Sequence, residues 1–114
     1  MSVVLNVRIE EKKGTQLVHI EGRLDAANAP KLELKLNKLV KEGSDQIVLD
    51  FAKVDYLSSA GIRLLLSMTK RLAPNRGLKL CAMREDVIEI IKMAGFERIL
   101  EIYDTEKEAL QAFT

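Results

Sequence analysis

The chain has 114 residues, about the length of one domain. Its 18 Lys and Arg against 17 Asp and Glu leave a net charge of +1, which excludes strong electrostatic attraction to nucleic acid or anionic lipid. A single cysteine, Cys81, and a single histidine, His19, exclude an intramolecular disulfide, a cysteine-rich zinc site and a metal site with two histidines. No apolar run approaches the roughly 20 residues of a membrane span, and the first residues lack a signal-peptide pattern, so we expect a cytoplasmic domain over residues 1–114 with little catalytic equipment.

The first part of the chain predicts a β-hairpin. Apolar residues alternate over Val3–Glu10 and again over Thr15–Glu21, with a turn at Lys12-Lys13-Gly14 between them, and Gly22 is expected to end the second strand. The second strand has an apolar face and a mixed face: Val18 and Ile20 against Leu17 and His19. We therefore expect His19 to be a solvated or partly covered surface residue.

A helix, a strand and a second helix follow the hairpin. Asn28 can cap the first helix and Pro30 suits its first turn, while Glu42-Gly43-Ser44 ends it. The continuous apolar run in Gln46–Phe51 is typical of a central parallel strand. The segment Asp55–Gly61 is expected to bridge to the second helix, whose apolar stripe is Ile62, Leu65, Leu66, Thr69 and Leu72.

The last part of the chain predicts two more strands, each followed by a helix. After a loop over residues 74–77, a short apolar strand over Leu78–Ala82 contains Cys81, which we expect to be buried and inert. A third helix opens at Arg84-Glu85-Asp86 and ends at Gly95, and a strand over Ile99–Tyr103 follows it. A final helix begins with the capping-box pattern of Thr105 and Glu108.

The element order is therefore ββαβαβαβα, which predicts an α/β fold. We expect a mainly parallel, mixed sheet with the N-terminal hairpin as its antiparallel edge and with helices packed on it. Ligand and partner sites of such sheets lie at the carboxyl ends of the strands. The loops at Gly22–Pro30 and Asp55–Gly61 should meet there.

Two serines at the start of the second helix have two interpretations. Either Ser58 or Ser59 can cap the helix through its hydroxyl oxygen. Alternatively, the free N–H groups and the positive end of the helix dipole can stabilise a phosphate, which small Ala60 and Gly61 leave accessible. A serine that accepts a phosphate there would act as a switch without any catalytic group in this chain.

Three segments together resemble the STAS family, the sulphate transporter and anti-sigma factor antagonist domains, and within it the anti-sigma factor antagonists. They are Gly22-Arg23-Leu24-Asp25 before the Pro30 helix, Ile47–Phe51 with Val54–Leu65, and Ile91–Phe96. The segment with the two serines is the most specific of the three. The resemblance covers essentially the whole chain, and the predicted element order fits the STAS fold.

The resemblance implies a role in the control of transcription. In that family, a serine kinase that is also an anti-sigma factor phosphorylates one serine at the helix start. The unphosphorylated antagonist binds the anti-sigma factor and frees the sigma factor, phosphorylation breaks that binding, and a phosphatase restores it. The family motif Asp-Ser-Ser/Thr-Gly-Leu-Gly, aligned on Gly61, places the accepting serine on Ser59.

This sequence departs from the motif at three positions. Ser58 replaces the Asp, Ala60 the second Ser/Thr, and Arg63 the second Gly. Ser58 is therefore a rival acceptor. Arg63, four residues after Ser59, is placed either to pair with a phosphate or to lie on a solvated helix face.

Other residues of the same end have alternatives of their own. Asp25 matches the family's loop aspartate, which would shape the acceptor pocket or the surface facing the kinase, but it also suits an Asx turn before the first helix. Leu64 and Met68 lie off the predicted apolar stripe. If exposed, they form an apolar patch for a partner beside Ser59, and otherwise they are buried under a neighbouring helix.

We therefore expect an anti-sigma factor antagonist that is monomeric when free, is not an enzyme, and needs no cofactor, metal, nucleic acid or membrane. An alternative from the same family is a STAS subunit of a lipid-transport or stress-signalling assembly. A small α/β enzyme would need Asp25, Asp55 and the serines to converge on a ligand without a histidine or a phosphate loop.

Overall fold

A computed structural model describes residues 5–72 and 77–113. These ranges contain five strands and four helices. The elements are β1 (Asn6–Lys12), β2 (Thr15–Leu24), α1 (Ala29–Lys41), β3 (Gln46–Leu57), α2 (Ser59–Leu72), β4 (Gly77–Cys81), α3 (Glu85–Met93), β5 (Glu101–Tyr103) and α4 (Glu106–Gln111). The predicted start of the first strand at Val3 and most of the predicted loop at 74–77 lie outside the described residues.

All five strands form one sheet in the order β1-β2-β3-β4-β5. The β1–β2 pair is antiparallel, and the three following pairs are parallel. The predicted order ββαβαβαβα and the mixed sheet with an antiparallel edge hairpin are confirmed.

The helices divide between the two faces of the sheet. Because each parallel strand is added on the same side of its predecessor, right-handed crossovers put α1, α2 and α3 on one face. The main core lies there, and its strand residues include Val18, Ile20, Ile47, Leu49, Leu78 and Leu80. The helix α4 follows the last strand and makes no crossover. It covers the second face in a smaller cluster: Leu17, Val48, Cys81, Ala109 and Phe113.

Strands β2 and β3 are longer than their sequence patterns predict. Strand β3 continues to Leu57 and α2 begins at Ser59, so only Ser58 of the predicted bridging segment Asp55–Gly61 lies outside regular structure. Strand β3 pairs with β4 only as far as Asp50, and beyond that residue it pairs with β2 alone. Its last part therefore has an open edge and carries polar side chains, so the sequence has no apolar run there that would predict a strand. Similarly, β2 passes through Gly22 at a register irregularity and ends at Leu24.

Two local signals in the last part of the chain are confirmed, whereas the strand predicted over Ile99–Tyr103 begins only at Glu101. The hydroxyl of Thr105 accepts a hydrogen bond from the Glu108 amide at 3.1 Å, which caps α4. Cys81 is fully buried, and burial raises the pKa of its thiol to about 12.

Among the described residues, we find no helix with the length and apolar character needed to cross a membrane.

Candidate functional site

The carboxyl ends of β2 and β3 meet at one edge of the sheet. Leu24 and Leu57 are register partners, and the Ser58 amide donates to the Leu24 carbonyl oxygen at 2.9 Å. This bond fixes the start of α2 against the end of β2. The two loops that were expected to share this end of the sheet are therefore adjacent, although the second is reduced to Ser58 between β3 and α2.

Ser58 caps α2. Its Oγ accepts a hydrogen bond from the Gly61 amide at 3.2 Å, and its carbonyl oxygen accepts one from the Ile62 amide at 2.9 Å. The residue is half-buried, and its hydroxyl oxygen is occupied by this bond. Of the two interpretations of the serine pair, helix capping describes Ser58.

Ser59 has the opposite surroundings. It is the first residue of α2, it is exposed, and its hydroxyl makes no hydrogen bond within residues 5–72 and 77–113. The first turn of α2 carries no acidic residue, so nothing in that turn offsets the positive end of the helix dipole. A dianionic group on this oxygen would be stabilised by the helix and would not disturb the cap.

Gly61 allows α2 to approach the ends of both strands. A Cβ at this position would lie 2.7 Å from Cδ1 of Leu57, 2.9 Å from the carbonyl oxygen of Leu24 and 3.0 Å from its Cγ. The Leu24 oxygen belongs to the backbone and also accepts the Ser58 amide, so it is not free to move away. Gly61 is thus a packing residue that is itself buried.

Asp25 shapes the loop before α1. Its Oδ1 accepts hydrogen bonds from the Ala27 amide at 3.1 Å and the Asn28 amide at 2.9 Å, which is the Asx turn named as one alternative. Asn28 is the N-cap residue, but its side chain does not cap α1. Its Nδ2 instead donates to the Arg23 carbonyl oxygen at 2.9 Å, which ties the loop to the end of β2.

Of the two alternatives for Leu64 and Met68, burial under a neighbouring helix is the one observed, so α2 has no apolar patch at these positions. Leu64 and Met68 are both buried, because the apolar face of α2 is wider than the predicted stripe and packs on α1 as well as on the sheet. A shallow cleft of about 340 Å³ lies between the two helices. It is lined on the α2 side by Ala60, Arg63, Leu64 and Ser67, and on the other by residues 26, 29, 30 and 33. The cleft beside Ser59 is therefore small, and its lining combines apolar side chains with Arg63 and Ser67.

Two residues that the sequence did not single out complete this end of the sheet. The guanidinium of Arg23 lies 4.3 Å from the ring centroid of Tyr56, its register partner on β3. The Nε atom of Arg23 also lies 3.7 Å from Oδ2 of Asp25. Tyr56 is an aromatic residue two positions before Ser58 and is 37% exposed, a signal that could have marked it as part of the surface.

The histidine and the cysteine lie apart from the serines. Both His19 and Cys81 are on the second face of the sheet, whereas Ser58 and Ser59 start a helix on the first face. The described serine region thus offers a hydroxyl that can accept a group, and a neighbouring cleft, but it contains no imidazole or thiol to act as a base or nucleophile.

The fold class is defined by two features. One is the five-stranded mixed sheet with a hairpin at its edge, and the other is the capped start of α2 at the carboxyl ends of the strands. The model of the STAS domain matches residues 6–109, so the chain belongs to the STAS family. BtrV of Bordetella bronchiseptica, a candidate anti-sigma factor antagonist, is 32% identical over 110 residues, covering 96% of this chain and 95% of that protein.

Solved structures share the fold. An anti-sigma factor antagonist from Mycobacterium paratuberculosis superposes with a TM-score of 0.87 at 24% identity, covering 96% of this chain and 93% of that one. The Bacillus cell-fate determinant SpoIIAA in its phosphorylated form superposes with a TM-score of 0.70 at 19% identity, covering 96% of this chain and 100% of that one. The predicted fold and family are therefore confirmed.

Proposed function

We propose that this protein is an anti-sigma factor antagonist whose binding is switched off by phosphorylation of Ser59. In this proposal the unmodified chain binds an anti-sigma factor that is also a serine kinase, and a phosphatase reverses the modification. The names of its relatives support the class of protein. The observation that carries the proposal is Ser59 at the first residue of α2: this residue is exposed, and its hydroxyl makes no hydrogen bond with the part of the chain that the structure describes.

The two serines differ in what a phosphate would cost. On Ser58, a phosphate would have to replace or distort the bond from the Gly61 amide and would lie in a half-buried position. On Ser59 it meets solvent and the free end of the helix, where negative charge is stabilising. Ser59 is therefore the acceptor that leaves the fold intact.

A phosphate on Ser59 would change the charge of a nearly neutral surface. It adds about −1.5 to −2 charges at neutral pH, together with three acceptor oxygens. Arg63, one turn later and exposed, can offset only part of this charge. A partner that fits the surface around Ser59 and the cleft beside Ala60 would then face a negative charge that Arg63 offsets only in part, and the complex would dissociate.

The first experiment identifies the acceptor. The protein is incubated with ATP and its cognate anti-sigma factor kinase, and the modified residue is located by mass spectrometry. We expect modification of the wild type and of Ser58→Ala, and none of Ser59→Ala. Ser67→Ala is the matched control, because Ser67 is another exposed serine of α2. Normal phosphorylation of Ser59→Ala would reject the assignment.

The second experiment measures binding to the anti-sigma factor by calorimetry. We expect Ser59→Asp to weaken binding at least tenfold, about 1.4 kcal/mol. The control Gln111→Glu adds the same charge at an exposed position of α4, on the other face of the sheet, and should have a smaller effect. Equal affinities for Ser59→Asp and the wild type, with the phosphorylated protein also binding normally, would remove the switch.

A further inference from the structure

His19 lies between two carboxylates on the second face of the sheet. Its Nδ1 is 2.7 Å from Oδ2 of Asp50 on β3, and its Nε2 is 2.7 Å from Oε1 of Glu10 on β1. A neutral imidazole has one N–H donor and one bare lone pair, so only the protonated ring can donate to both oxygens. The geometry is that of an imidazolium bridging two strands that are not themselves neighbours.

Charged groups of both signs surround His19. Glu106 of α4 lies close enough for one oxygen to be within 4.8 Å of the polar atoms of His19 and Asp50, and it pairs with Lys12 at 3.0 Å. Arg8 lies 3.8 Å from Glu10. The carboxylates of Glu10, Asp50 and Glu106 thus face the cations Arg8, Lys12 and His19. The other titratable or charged groups nearby are Cys81, next to Asp50 in the register, and the residues of the adjoining cavity, Glu21, Lys31, Lys35 and Lys53.

We propose that His19 is a proton-dependent clamp that fastens the edge strand β1 to β3 across β2. When the ring loses its proton, one of its nitrogens presents a lone pair to a carboxylate oxygen, and that contact opens. The proposal rests on these contacts alone and does not depend on the role of Ser59.

The contact with Glu10 is the one that opens. The second oxygen of Asp50 accepts the Ala52 amide at 2.9 Å, and the Asp50 side chain is only 17% exposed, so Asp50 stays in place. Glu10 is 38% exposed and can turn to water. The pKa of the Glu10 carboxyl is lowered chiefly by its hydrogen bond with His19.

Strand β1 responds because it is the edge of the sheet. It has β2 as its one strand neighbour, so a bridge to β3 adds an attachment that pairing alone does not provide. The clamp is closed while the His19 ring carries its proton and opens when rising pH removes that proton. At low pH the Glu10 carboxylate itself takes up a proton, so attachment of β1 is strongest between these two events.

Hydrogen exchange read by mass spectrometry tests the proposal, because it reports on β1 separately from the central strands. Between about pH 6 and about pH 8.5, after correction for the intrinsic rate, we expect protection of the β1 amides to fall roughly tenfold relative to β4. His19→Gln should remove this dependence. Glu10→Gln should remove it too, since the amide can donate to the bare nitrogen of a neutral ring. The control Glu11→Gln changes the same charge on the same strand and should behave as the wild type.

Four results would overturn the clamp. One is unchanged relative protection of wild-type β1 across this pH range, and another is persistence of the dependence in Glu10→Gln. The third is loss of the effect in EDTA, which would assign the cluster to a metal ion. The chain has one histidine, so its ring nitrogen signals in wild-type NMR spectra are unambiguous. A neutral ring at about pH 6 would be equally decisive, whether or not His19→Gln folds.

Discussion

Replacing Gly61 by alanine tests how closely α2 must approach the strand ends. The added methyl group would lie 2.7 Å from Cδ1 of Leu57 and 2.9 Å from the Leu24 carbonyl oxygen, both well inside normal contact distance. The Leu57 side chain can rotate away. The Leu24 oxygen is held by its backbone and by the Ser58 amide, so relief there requires α2 to shift.

The size of the effect follows from two opposing terms. Overpacking of a buried position typically costs about 1–3 kcal/mol. Alanine in place of glycine gains up to about 1 kcal/mol of helix propensity, because Gly61 has no left-handed backbone conformation that would penalise a side chain. We expect Gly61→Ala to lower the free energy of unfolding by about 1–2 kcal/mol and the Tm by roughly 4–8 °C.

Urea denaturation followed by far-ultraviolet circular dichroism measures this loss, with an unchanged m-value showing that the unfolding transition is otherwise the same. Ser67→Ala, at an exposed position of the same helix, should change stability by less than about 0.5 kcal/mol. If Gly61→Ala were as stable as the wild type, the close approach of α2 to Leu24 would not be a constraint and the reasoning would be refuted.

The remaining predictions concern the serine pair and the cysteine. Ser58→Ala removes the cap of α2 and should lower the free energy of unfolding by about 1 kcal/mol. Ser59→Ala should change it by less than about 0.5 kcal/mol. Equal losses for the two variants in urea denaturation would contradict the assignment of the cap to Ser58. Cys81 should resist alkylation in the folded protein at about pH 8 and react on unfolding; rapid modification of native protein would contradict its burial. Because the thiol pKa is raised from 9.0 to about 12 by folding, Cys81 should also make stability fall as pH rises from about 9 towards 12, and Cys81→Ala should lessen that fall in alkaline denaturation.

Periodic apolar patterns were sufficient to predict the layers of the fold. The alternation around Val18 and the run at Ile47 each reflect a strand whose faces are buried, and burial is what such patterns record. The end of β3 carries no such signal, since Ala52, Lys53 and Asp55 are exposed and the strand is held there by backbone pairing with β2. Strand length beyond the buried part therefore depends on tertiary pairing.

The sequence predicted where the candidate site lies, but not which of the two serines caps the helix. Both serines are acceptable caps and acceptable phosphate acceptors, and only the bond from the Gly61 amide to Ser58 assigns the cap. The predicted apolar stripe did not include Leu64 and Met68, although both are buried. A helix that packs on a sheet and on a second helix buries a wider arc of its surface than a helix with one contact surface. The Arg23–Tyr56 contact depends on a cross-strand register that a single sequence does not specify.

The order of the strands in the sheet is also their order along the chain, and this affects how the protein can fold during synthesis. The hairpin β1–β2 forms from local contacts, and every later strand then finds its partner already in place when it leaves the ribosome. None of the five described strands has to be inserted between two others. The sheet can therefore grow in one direction, with each new strand docking on the edge of the one before it.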